Sequence, residues 1–138
     1  MAEPDPLGSR VRALFMDLAH AGDLSPPAAA GGEVFCTGEA GRVAEGTRVR
    51  FGLRLSGARV VQVRYRAYGC PFTLATCEWL ARQLTGRQLG ETSAHALATA
   101  VGGPPEWATV LEVPPQRLGR LLVVEDALRQ AMGTPGQR

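Results

Sequence analysis

Residues Arg59–Gly86, RVVQVRYRAYGCPFTLATCEWLARQLTG, carry the reading that decides the fold. Up to Tyr68, apolar and polar residues alternate with the two-residue period of a half-buried strand. After Pro71, the residues Leu74, Cys77, Leu80, Ala81 and Leu84 recur at helical spacing and stop at Thr85-Gly86. A strand that hands over to a helix at Gly69-Cys70-Pro71 sets a thiol at a helix N-terminus. The free N–H groups and positive dipole end there favour a thiolate, so Cys70 has the setting of a nucleophile or metal ligand. The competing assignment is a buried structural cysteine.

Just upstream, Val49, Phe51, Leu53 and Leu55 alternate in the same way, and with Val61, Val63, Tyr65 and Ala67 they predict a hairpin turning at Ser56-Gly57-Ala58. A three-residue loop sets Phe51 opposite Val63 and Leu53 opposite Val61, keeping one apolar face. That register places Arg50 opposite Arg64 and Arg48 opposite Arg66 on the other face. Like charges directly opposed are mildly destabilising. The face is then either a solvated exterior or a basic patch for an acidic partner.

Around the hairpin, Ser9 can cap a helix bearing Val11, Leu14, Phe15 and Leu18 that ends near Ala21-Gly22, with His20 favourably placed at its negative end. Asp23–Gly32 reads as a connection, and Val34–Thr37 as a short strand. An alanine-rich helix runs over Glu91–Val101; His95 within it is given no catalytic role. A short helix covers Glu106–Leu111 with Trp107 as a core anchor. The last helix follows Val113-Pro114-Pro115 and carries Leu118, Leu121, Leu122, Val124 or Glu125, and Leu128. A small antiparallel sheet with several helices on one face is an α+β layout.

The chain has 138 residues, enough for one domain with a real core and short for two. A formal charge of +2 excludes the composition of a dedicated nucleic-acid or membrane-surface protein, and neither partner is expected. All 15 basic residues are arginine, and Lys, Asn and Ile are absent, which reflects a GC-rich genome more simply than arginine chemistry. Three cysteines do not make a disulfide framework and fit reducing surroundings. Cys70 and Cys77 would lie about 10 Å apart along a helix, beyond disulfide reach. No apolar run approaches a membrane span and the N-terminus does not read as a signal peptide, so a cytoplasmic protein is expected.

At Tyr68-Gly69-Cys70, Val113-Pro114-Pro115 and Glu125-Asp126-Ala127 the chain resembles the NifU/IscU-type iron–sulfur cluster assembly scaffolds, with the three motifs agreeing in order and spacing. The resemblance runs over roughly residues 10–132. It implies a single domain across 1–138 with loose termini, a small antiparallel sheet and helices packed on one face. It also implies a site of three cysteines, an aspartate two residues after the first, and a histidine directly before the third. By alignment the cysteines fall on Glu45, Cys70 and Arg120, the aspartate on Thr47 and the histidine on Gly119. Glu45 and Cys70, offset by Arg120, leave about one negative charge for a dication or cluster, where the family pattern supplies four anionic ligands. Cys70 and Glu45 are therefore the candidate metal ligands, with Arg120, Gly119 and Thr47 modifying the site. The implied cargo is an iron–sulfur cluster or iron, with zinc or no metal as the other outcomes, and Cys36 lies upstream where it could swing in. The chaperone-docking segment Leu-Pro-Pro-Val-Lys of the bacterial scaffolds corresponds to Val113-Pro114-Pro115-Gln116-Arg117, which keeps Pro114, Pro115 and a cation at Arg117.

Three readings follow. In the first, the chain is a scaffold-like protein of iron–sulfur assembly, working with a cysteine desulfurase or a chaperone, as a monomer or dimer, with cluster binding weakened by the changed ligands. In the second it is a metal-free paralogue that acts as a protein-binding or regulatory module through Arg48, Arg50, Arg64 and Arg66. The third is a thiol enzyme or sulfur acceptor in which Arg120 stabilises the Cys70 thiolate. It ranks last because no general base is identifiable.

Overall fold

The computed structural model describes residues 8–22, 33–89 and 94–133. Three strands, β1 (Glu33–Arg42), β2 (Thr47–Ser56) and β3 (Arg59–Tyr68), form an antiparallel sheet in the order β1-β2-β3. The helices are α1 (Ser9–Phe15), α2 (Pro71–Leu84), α3 (Ala94–Val101), α4 (Pro104–Leu111) and α5 (Leu118–Gly133). On the apolar sheet face, α2 lies against β3 and α5 against β1 and β2; α1 packs on α2, while α3 and α4 pack on α5. This is the expected α+β layout. No described helix is long and apolar enough to cross a membrane.

The hairpin forms where the alternation places it, but in a different register. Its loop is the two residues Gly57-Ala58, with Gly57 at φ 61°, a conformation that favours glycine at the first position of a type II′ turn. A register shift beside Arg54/Leu55 then inserts one extra residue into β3, so that Val60 is buried and Val61 is turned out. Beyond the bulge Leu53 faces Val63 and Phe51 faces Tyr65, whose rings meet at a centroid distance of 6.1 Å. The expected opposition of Phe51 to Val63 is thus displaced by two residues, which conserves the faces because the period is two. Arg50 stands opposite Arg66 rather than Arg64, and Arg48 opposite Tyr68 rather than Arg66.

Seating of α5 depends on Gly38, in the middle of a β1 that is longer than the expected Val34–Thr37. A Cβ on Gly38 would fall 2.2 Å from the Ala131 nitrogen and 2.4 Å from the Ala127 oxygen, so the helix backbone touches the strand backbone there. From that contact α5 buries Leu121, Val124, Ala127, Leu128 and Ala131, and it leaves Leu122, expected inside, exposed. Helix α4 begins at Pro104, two residues earlier than expected, because prolines are tolerated in the first turn and Glu106 Oε1 accepts the Gly103 N–H at 2.7 Å. Trp107 is buried as expected, its Nε1 donating to the Val101 carbonyl at 2.8 Å.

At the other end, α1 stops at Phe15 and Gly8, not Ser9, holds its N-cap position. Residues 20–22 run instead along the β3 edge: the Tyr65 N–H donates to the His20 carbonyl at 3.2 Å and the Gly22 N–H to the Tyr65 carbonyl at 2.7 Å. His20 is not a helix-end partner. Its N–H reaches Glu78 Oε1 at 3.0 Å and its Nδ1 lies 2.7 Å from Glu78 Oε2. The connection 23–32, the start of the alanine-rich helix at 91–93 and the chain ends lie outside the described residues.

Candidate functional site

Cys70 occupies the N-cap of α2 in an extended conformation, φ −80° and ψ 169°, with Pro71 as the first helical residue. Gly69 brings the end of β3 close enough to Thr73 that a Cβ there would lie 2.9 Å from Thr73 Oγ1. The half-buried Cys70 Sγ sits 3.6 Å from the same hydroxyl. Burial alone would raise the pKa of this thiol, but the Thr73 amide and hydroxyl, the Phe72 amide and the Arg117 guanidinium outweigh it and hold the pKa below its ordinary value. The other two thiols differ. Burial pushes Cys36 up to about 11, and burial together with the neighbouring Glu78 charge pushes Cys77 higher still. Cys36 points into the core beneath β1 and α5 and does not join the site.

The other candidate residues meet at the same end of the sheet, where Arg48, next to Thr47, pairs with Tyr68, two residues before Cys70. A 3-10 turn, Val43–Glu45, and Gly46 at φ 89° reverse the chain between β1 and β2, and Thr47 opens β2 as a buried hydroxyl. Arg120, in the first turn of α5, donates from Nη1 to Thr47 Oγ1 at 2.9 Å and lies 3.3 Å from where a Gly46 Cβ would stand. Glu45, Thr47, Gln116, Gly119, Arg120 and Val123 line a cleft of about 220 Å³. Glu45 is exposed and Gly119 faces open space. The structure therefore gathers Glu45, Thr47, Gly119 and Arg120 and adds Gln116, while the cation that acts on Cys70 is Arg117, not Arg120. Thr73 lies three residues from an N-cap, a spacing that sequence alone could have flagged; nothing local pairs Arg117 with Cys70.

Among the described residues no three His, Cys, Asp or Glu side chains stand close enough to hold a metal ion. Pro115–Arg117 form a 3-10 turn leading into α5, with Pro115 and Gln116 exposed and Pro114 and Arg117 half-buried. Arg48, Arg50, Arg64 and Arg66 all lie on the sheet face opposite the helices; Arg48 is ion-paired with Glu39, and Arg64 Nη1 donates to its neighbour's carbonyl, Val63 O, at 3.1 Å. A larger cleft of about 380 Å³, lined in part by His95, Trp107, Glu125 and Arg129, opens between α3, α4 and α5. It holds no thiol among its described lining residues.

Residues 9–134 match the family model of the NifU-like N terminal domain. A curated relative, the bifunctional protein NifU/MnmA of Rubrobacter xylanophilus, is 33% identical over 132 residues; the match covers 93% of this chain and 24% of that protein, so the chain spans about a quarter of the relative's length. Among solved structures, a protein assigned as an iron–sulfur cluster assembly scaffold for the SUF system of Fervidobacterium islandicum superposes with a TM-score of 0.62 at 15% identity, covering 91% of this chain and 95% of that one. The N-terminal part of a nitrogen-fixing NifU-like protein from Brucella abortus gives 0.59 at 14% identity, covering 91% and 90%.

Proposed function

Because this chain belongs to the NifU-like N-terminal domain family of iron–sulfur scaffold proteins, we propose that it serves iron–sulfur assembly through a single thiol, Cys70, and holds a cluster more weakly than a full thiolate set would. The observation that carries this reading is the Arg120–Thr47 hydrogen bond, which sets a guanidinium where the resemblance implies a cysteine ligand. A guanidinium does not deprotonate and cannot ligate a metal. Iron–sulfur clusters are held mainly by thiolates, and one chain offers here a single thiol at Cys70, its pKa held below the ordinary value, and an exposed carboxyl group at Glu45. That donor set does not fit a cluster held by one chain. It fits a transient hold on iron or sulfur, completed by water, a second copy or a partner protein.

The partners supported by family membership are a cysteine desulfurase and a chaperone. The exposed Pro115-Gln116 turn, with Pro114 and Arg117 beside it, is the segment we assign to chaperone docking. Its position next to the Arg117 that acts on Cys70 would couple docking to the thiol.

Anaerobic reconstitution with ferrous iron and sulfide, followed by absorption and by iron and sulfide content, tests the reading. The unmodified chain should retain well under one cluster per monomer after desalting, and Glu45→Cys with Arg120→Cys should retain more. A stable stoichiometric cluster in the unmodified monomer would overturn it.

A further inference from the structure

Thr73 departs from the habit of the other helical threonines. Thr76, Thr85, Thr99 and Thr109, each within a helix or at its C-cap, donate their hydroxyls to the carbonyl four residues back, at 2.7, 2.7, 3.0 and 3.1 Å. Four residues before Thr73 stands Gly69, which precedes the N-cap of α2 and lies outside the helix. The back-bond is not made there. Among the described residues the Thr73 side chain has one hydrogen-bond partner, Cys70 Sγ at 3.6 Å.

Two further observations hold the hydroxyl to that partner. Thr73 has no exposed surface, so its Oγ1 has no recourse to bulk water, and a buried hydroxyl left unpaired costs free energy. The strand end behind it leaves no slack either. A Cβ on Gly69 would stand 2.9 Å from Thr73 Oγ1, 3.0 Å from its Cβ and 3.1 Å from its Cγ2. Gly69 is not at a positive φ, so the position calls for space and not for backbone freedom.

We infer that Thr73 is a positioning residue for Cys70: its buried hydroxyl donates to the sulfur, fixes where that sulfur points and stabilises its negative charge. The Phe72 and Thr73 amides act on the same atom, as they would on any side chain at this N-cap; the hydroxyl is what this sequence adds. Such a donor makes the thiolate more abundant at a given pH and less reactive per molecule, because nucleophilicity falls with basicity along a Brønsted slope of about 0.4–0.5. Thr73 thus moves the working range of Cys70 downward in pH. The inference rests on the reading that the chemistry belongs to Cys70, but its test needs neither iron nor sulfide.

The probe is iodoacetamide with the intact chain, the rate at Cys70 being read by mass spectrometry as a function of pH. The thiolate forms a C–S bond as the C–I bond breaks and iodide leaves, the thiol proton having gone to the buffer. In Thr73→Val the midpoint should move upward, with the rate about threefold lower at pH values below both midpoints and about threefold higher on the alkaline plateau, so that the two profiles cross. A change of access alone would scale the whole profile in one direction. Thr73→Ser should restore the wild-type midpoint. Gly69→Ala, which displaces the hydroxyl, should raise it, and Thr76→Val, whose hydroxyl is committed to the Phe72 carbonyl, should leave it in place. The inference is overturned if Thr73→Val with unchanged circular dichroism keeps the wild-type midpoint, if Thr73→Ser fails to recover it, or if Thr76→Val moves it as far. Should Thr73→Val not fold, Gly69→Ala decides, and an unmoved midpoint in that variant overturns the inference. A shifted midpoint beside a stable stoichiometric cluster would sink the weak-binding reading and leave the role of Thr73 standing.

Discussion

Glu78 has no exposed surface, yet its carboxylate remains the more favourable form. Oε1 accepts from the His20 amide and the Tyr65 hydroxyl, each at 3.0 Å, and Oε2 accepts from Arg82 Nε at 2.8 Å beside His20 Nδ1. Burial would raise its pKa, but Arg82, the His20 amide and ring, and the Tyr65 hydroxyl outweigh that and hold it below its ordinary value. Tyr65 shifts the opposite way, upward, through burial and the adjacent negative charge. A carboxyl with a depressed folded pKa contributes stability that is fully present above its unfolded value and is lost as pH falls through the folded one. The wild type should therefore lose stability below about pH 4.3. Glu78→Gln should be less stable at neutral pH by about 3 kcal/mol and show a shallower acid limb, because the buried donors lose their anion. Urea unfolding across that pH range checks both, and an unchanged acid slope in the variant would assign the effect to other carboxylates. One sign of this was readable in the sequence, since Glu78 falls four residues after Leu74 and three before Ala81 on the apolar helix face. Its partners His20 and Tyr65 come from distant segments that no spacing rule connects.

For the hairpin as an element, the alternation was enough to find both strands and their buried face, but not their register. Loop length was judged by keeping apolar residues opposed from the turn onward. A two-residue turn followed by a bulge meets the same requirement, because the extra residue restores parity from Val63 onward. Val60 and Val61 distinguish the two arrangements. Val60→Ala should cost about 2 kcal/mol of unfolding free energy, as two buried methyl groups are removed. Val61→Ser should change it by less than about 0.5 kcal/mol. Equilibrium unfolding of the two variants decides the matter, and the reverse order of costs would restore the three-residue loop.

Across the whole molecule, one close approach sets the distance between the sheet and the helical layer, and with it the site. Gly38 lets α5 rest on β1, and the N-terminal turn of that helix carries Gly119 and Arg120 to the β1–β2 turn. Gly38→Ala would force two backbones apart, and should cost about 3 kcal/mol. It should also expose Thr47, read as faster exchange of its amide. A loss near zero would mean that the helix is not seated there. The α+β class was legible because strand and helix periods are local properties of the chain. Cys70 was legible from its place at the strand-to-helix handover, but Glu45 and Arg120 only by resemblance, since they come from remote segments that folding alone brings together, and the action of Arg117 on Cys70 had no local signal. The empty space over Gly119 carries a consequence for descent. A Cβ placed there meets no atom within 4 Å, and the residue does not need a positive φ. An imidazole can be installed by replacing one side chain, and a thiol at position 120 by replacing the next, with the backbone left where it is. At position 119, divergence between this donor set and a richer one is thus a change of side chain that asks for no new backbone conformation.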